Sequence, residues 1–103
     1  MSLKQTQKEV EEFMEKHGME GKTEFRIMDF VSEVGEVVGD ATKSADYGFD
    51  KDNLSVKEDE IGDVIFSLFA VCNSLEINTE EALDTAMEKY ERRISEKGDP
   101  GSR

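Results

Sequence analysis

The chain has 103 residues, enough for one domain, and its 13 Lys+Arg against 25 Asp+Glu give a formal net charge of −12. So acidic a balance excludes sequence-independent binding to a nucleic-acid polymer, which needs a basic surface, and docking on an anionic membrane. No apolar run is long enough to span a bilayer, the N-terminus lacks a signal-peptide pattern, and the lone Cys72 has no partner for an internal disulfide, so a cytoplasmic protein is expected.

The sequence reads as all-α. Its single proline, Pro100, lies beyond the last helical pattern, and no stretch alternates long enough to suggest a strand. A first helix is expected over 3–17, with Val10, Phe13, Met14 and His17 on one face and Gly18 as its stop. His17 reads as a helix-end residue, with a base-contacting or catalytic role as the alternative. Thr23 is a candidate N-cap for a second helix over 24–47. That helix carries two stripes. Ile27, Phe30, Val31, Val34, Val38, Ala41 and Ala45 form the expected core face. Asp29, Glu33, Glu36 and Asp40 form an acidic face, with no basic residue between Arg26 and Lys43 to offset it.

The link over 48–53 contains Asp50-Lys51-Asp52, but Leu54 and Ser55 stand where a calcium loop needs a ligand and a glycine, so an EF-hand is rejected. Ser55 and Glu58 have capping-box spacing and open a third helix over 56–75. Beyond Asp63 this helix is apolar nearly all round, from Val64 to Leu75. A helix apolar on all sides is buried on all sides, so a second chain is expected, most simply in a homodimer. Asn78 and Glu81 cap a fourth helix over 80–97, with Leu83, Met87, Tyr90 and Ile94 inward and Gly98 as stop. Its last turns carry Lys89, Arg92, Arg93 and Lys97, either as favourable helix-end charge or as a phosphate grip. The expected architecture is an antiparallel four-helix bundle that oligomerises through its central helices, one domain over 1–98 with an unstructured tail over 99–103.

Two stretches repeat one formula: Glu33-Val34-Gly35-Glu36-Val37-Val38 and Glu60-Ile61-Gly62-Asp63-Val64-Ile65. Each places two acids at i and i+3 on one helix face. The short link makes the two helices antiparallel neighbours, with axes roughly 8–10 Å apart. Four carboxylates aimed into so small a volume resist ionising together, and a hard divalent cation relieves them. A di-iron bundle would need Glu-x-x-His pairs and zinc would need His or Cys ligands; neither set is present. The glycines inside each motif suggest a close approach by a backbone or a ligand. Oxygen-only ligands fit magnesium or manganese, ions that commonly serve phosphate substrates.

With these residues in order, the chain resembles the MazG-type nucleoside triphosphate pyrophosphohydrolases of the all-α pyrophosphatase superfamily. Their pattern is Glu-Glu-x-x-Glu, a variable gap, then Glu-x-x-Asp. Ser32 through Glu36 and Glu60 through Asp63 match it, and residues 75–94 look like the family's final turn and helix. The resemblance implies cleavage of an NTP or dNTP between the α- and β-phosphates. It implies Mg²⁺, with Mn²⁺ as substitute, on Glu33, Glu36, Glu60 and Asp63. Glu36 or Glu33 would activate water, and Lys43, Lys89, Arg92 and Arg93 are candidate phosphate contacts. It implies a homodimer, or a tetramer made of dimers. Ser32 departs from the family's first acid, and Met87 stands where many relatives carry Asn. The competing reading is a non-catalytic acidic helical module that binds a partner protein.

Overall fold

The computed structural model describes residues 2–102; Met1, at the start of the expected domain, and Arg103, at the end of the expected tail, lie outside the described residues. Four α-helices follow one another: α1 (Leu3–Lys16), α2 (Thr23–Ser44), α3 (Glu58–Ser74) and α4 (Thr79–Lys97). Short 3₁₀ turns at Asp46–Gly48 and Lys51–Asn53 join α2 to α3, and no strand occurs among the described residues.

The helix ends show which local signals prevailed. Ser2 caps α1, its Oγ accepting from the Gln5 N–H at 3.1 Å, and Gly18 ends that helix region at φ +65°. Asn78 caps α4 by accepting from the Glu80 and Glu81 N–H groups, and Gly98 closes it in the left-handed conformation. Two expected caps do not form. Thr23 is the first residue of α2 rather than its cap, and α3 begins at Glu58 rather than Val56. Ser55 is used elsewhere: its N–H donates to Ser44 Oγ at 2.8 Å, and its carbonyl accepts from the same hydroxyl. Three acids in the first turn of α3, Glu58, Asp59 and Glu60, complement its dipole instead. α2 ends at Ser44, short of Tyr47, because Asp46, Tyr47 and Gly48 turn left-handed in succession.

Hydrogen bonds fix the antiparallel register of α2 and α3. Arg26 reaches the Ala70 carbonyl, Asp40 accepts from the Lys57 N–H, and Ser44 meets Ser55, so numbers rise on one helix as they fall on the other. α1 packs on α3, and α4 packs on α1. The buried apolar residues are Met14, Ala45, Phe69, Ala70 and Cys72. Four polar residues, Gln7, Arg26, Ser67 and Thr79, are buried with them. Arg26 donates to the Ala70 carbonyl at 2.9 Å and pairs with Glu11 at 3.3 Å. Gln7 ties α1 to the α3–α4 turn: its Nε2 donates to the Ile77 carbonyl, and its Oε1 accepts from both the N–H and the hydroxyl of Thr79.

The helices do not close around a single core as the bundle expectation has it. On α4, Leu83, Met87, Tyr90 and Ile94 are exposed, not inward. The valine stripe of α2 turns away from the chain, with Val31 63 % and Val38 58 % exposed. The face of α2 that meets α3 carries the acids instead. One chain also leaves Ile61, Ile65 and Leu68 of α3 exposed.

Gln7 generates a direct test. Gln7→Ala strands the Thr79 donors and the Ile77 acceptor, so it should lower the stability to urea by about 1–3 kcal/mol with the m-value unchanged. Gln5→Ala, which removes only an exposed contact to Glu9, should stay within about 0.5 kcal/mol. Equal effects from the two would contradict the clasp.

Candidate metal centre

The register of α2 and α3 brings the repeated acid motifs face to face. One carboxylate oxygen from each of Glu33, Glu36 and Asp63 lies within 4.8 Å of the other two. Glu33 is partly buried, while Glu36 and Asp63 are open to solvent. Glu33 Oε2 is buried with no hydrogen-bond partner, and so is Glu60 Oε2. None of these four acids belongs to an ion pair among the described residues.

The fourth expected ligand stands apart from the other three. Glu60 faces Asp40, and the two share a hydrogen bond that only a proton makes possible. That bond, followed by burial and the Asp40 charge, raises Glu60 to about 7. The same bond holds Asp40 below the usual carboxylate range. Glu33 is also raised, first by burial and then by the charges of Glu36, Asp63 and Asp29. Asp40 is the acid that the family pattern alone does not point to, although the acidic stripe on α2 already contains it.

Beside this cluster runs a groove of about 340 Å³, lined by Ser32, Gly35, Glu36, Gly39, Asp40, Lys43 and Glu60. A Cβ added at Gly35 or Gly39 would meet nothing within 4 Å. The glycines therefore widen the groove and serve no helix packing within this chain. Lys43 is the one basic residue in the lining. The α4 cations lie elsewhere: Lys89 sits 5.1 Å over the Tyr90 ring, Arg93 donates to the Pro100 carbonyl at 3.2 Å, and Arg92 is exposed. Lys97 pairs with Asp99 at 3.8 Å.

The donor set suits a hard divalent cation. It consists of carboxylates only, it converges, and it holds buried oxygens with no proton donor. Neither His17 nor Cys72 belongs to the cluster: the His17 ring packs tilted against Phe13 with centroids 4.6 Å apart, and Cys72 is buried in the core. Glu33, Glu36 and Asp63 would hold the ion, and Asp40 and Glu60 offer further oxygens across the groove.

A pH dependence follows for the metal-free protein. Folded Glu60 keeps its proton to about 7 against an ordinary value of 4.5, so the folded state binds more protons in that window. Stability in EDTA should therefore fall as pH rises from 4.5 to 7, and Glu33 adds to the same slope. Urea melts should show this decline, and Glu60→Gln, which fixes a neutral group, should flatten it. Rising stability across the window would contradict the pairing.

The comparisons agree with the geometry. Residues 21–96 match the MazG nucleotide pyrophosphohydrolase domain. An uncharacterized protein of Bacillus subtilis (strain 168), YpjD, is 43 % identical over 61 residues, covering 59 % of this chain and 50 % of the relative, so the match spans about half of that protein's length. No solved structure matches the chain. With both acid motifs and the three-carboxylate cluster inside the matched region, the chain belongs to the MazG nucleotide pyrophosphohydrolase family.

Proposed function

We propose that this protein is a magnesium-dependent pyrophosphohydrolase that cleaves an NTP or dNTP between the α- and β-phosphates. The observation that carries the reading is the convergence of Glu33, Glu36 and Asp63 beside a groove that contains a lysine. A bound Mg²⁺, or Mn²⁺ in its place, would neutralise the triphosphate and polarise the phosphorus. Glu33 and Asp63 anchor that ion. Glu36 belongs to both the cluster and the groove, which suits it to orient the attacking water and accept its proton. The water oxygen bonds to the α-phosphorus, the α–β bridging oxygen leaves with pyrophosphate, and the nucleoside monophosphate remains. Lys43 meets the departing phosphates.

A second copy of the chain completes the arrangement. The exposed valines of α2 and the exposed Ile61, Ile65 and Leu68 of α3 form apolar surface larger than isolated surface residues account for. A homodimer, or a tetramer of dimers, buries it. The cations Lys89, Arg92 and Arg93 then serve the groove of a neighbouring copy, since they line none of their own chain's groove. The setting proposed is the cytoplasm; among the described residues no helix is long and apolar enough to cross a membrane.

The test supplies each NTP and dNTP with Mg²⁺ or with EDTA and resolves the products by phosphorus NMR. Monophosphate and pyrophosphate should appear only with Mg²⁺, and Glu36→Gln should lower kcat by about 100-fold or more. Release of orthophosphate with a diphosphate, or turnover of no nucleotide, overturns the reading. Light scattering on the same samples should give at least twice the 11.6 kDa chain mass, and a stable monomer at micromolar concentration would refute the assembly.

A further inference from the structure

The register of α2 and α3 continues one turn past the acids. Asp29 precedes Glu33 by four residues and Ser67 follows Asp63 by four. On antiparallel helices both steps lead about 6 Å toward the same end of the groove. There the structure holds a cavity of about 220 Å³ between the α1–α2 loop, α2 and α3, lined among others by Met14, Met19, Phe25, Arg26, Asp29 and Phe66. Its polar lining is satisfied only in part within the chain, with the Ser67 hydroxyl donating to the Val64 carbonyl at 3.0 Å. Arg26 is 8 % exposed, its Nη atoms bond Ala70 and Glu11, yet its buried Nε–H has no acceptor. Asp29 belongs to no ion pair among the described residues. Phe25 presents an exposed ring at the rim.

We propose that this cavity is the base subsite, and that it takes the 4-amino and 6-amino bases, cytosine and adenine, ahead of the 4-oxo bases uracil and thymine. The inference rests on the hydrolase reading of the adjoining acids. The volume lies below the roughly 300 Å³ at which drug-sized pockets begin, which suits a single heterocycle. Met14, Met19 and Phe66 supply apolar walls and Phe25 a stacking face, the surroundings that extruded bases occupy in proteins. The Asp29 carboxylate offers acceptor oxygens, so it favours the amine of cytosine or adenine and repels the O4 carbonyl of uracil or thymine. The Arg26 Nε–H only donates, and it matches the ring nitrogen beside that amine. The turn between this cavity and Glu33 leaves room for the sugar. Lys43 lies beyond the acids on the other side, seven residues past Glu36. Base, α-phosphate and leaving pyrophosphate therefore fall along one line.

The test needs neither metal nor turnover. Deoxycytidine and deoxyuridine are titrated into the metal-free protein while the methionine methyl signals are followed by NMR. Met14 and Met19 line the cavity, whereas Met28 and Met87 lie exposed outside it. Deoxycytidine should shift Met14 and Met19 alone and bind several-fold more tightly than deoxyuridine. Phe25→Ala should weaken it about tenfold, as loss of a base stack does. Asp29→Asn, whose amide donates to O4, should abolish or reverse the preference. Absence of shifts at Met14 and Met19, or equal affinities that Asp29→Asn leaves unchanged, overturns the subsite. Nucleoside binding here with no pyrophosphate released in the turnover assay would remove the hydrolase reading and leave the subsite standing; turnover without these shifts would do the reverse.

Discussion

Repulsion between carboxylates across the α2–α3 groove is the constraint on which the rest of the molecule depends. The antiparallel register places Glu33 and Glu36 against Asp63, and Asp40 against Glu60. Without a cation the fold relieves part of the repulsion by keeping a proton on Glu60 and by shifting Glu33 toward its neutral form. A divalent ion held by Glu33, Glu36 and Asp63 would relieve the rest, and it would give the unpartnered oxygen of Glu33 something to bind. The folded chain is thus built around charge that is not neutralised from within.

That arrangement sets the direction of every other face. Because the acids of α2 meet α3, its valines must point outward. The small interior is secured instead by long-range polar contacts. Arg26 bridges α2 to α3 and to Glu11 on α1, and Gln7 clasps α1 to the start of α4. Each replaces water on a buried donor or acceptor, so loss of one partner strands the other. The exposed valines and the exposed α3 residues are the surface on which a second copy is proposed to pack.

Much of this was readable from residue spacing. Four helices follow from 3.6-residue periodicity, and the Asn78 cap and the Gly98 stop are local signals that formed as expected. The acid pairs follow from i, i+3 spacing on two neighbouring helices. The orientation of α2 did not follow, because a helix with one apolar and one acidic stripe does not reveal which stripe its own chain covers. The Ser55 cap failed because the Ser44 hydroxyl, close only after folding, bonds both the N–H and the carbonyl of Ser55. The separation of Glu60 from the other three acids depends on its pairing with Asp40, twenty residues away in sequence. Gln7 and Arg26 carry no sequence signal for their roles, since their partners include residues on other helices and turns.

The central claim is that three carboxylates from two helices form one cation site. Titration of the nucleotide-free protein with Mn²⁺, read by paramagnetic broadening of the backbone amide NMR signals, tests it most directly. The first substoichiometric additions should broaden residues around 33–36 on α2 and around 63 on α3 ahead of the other acidic stretches of the chain, and Asp63→Asn should abolish this selectivity. Weak broadening spread evenly over the acidic surface, unchanged by Asp63→Asn, would contradict it.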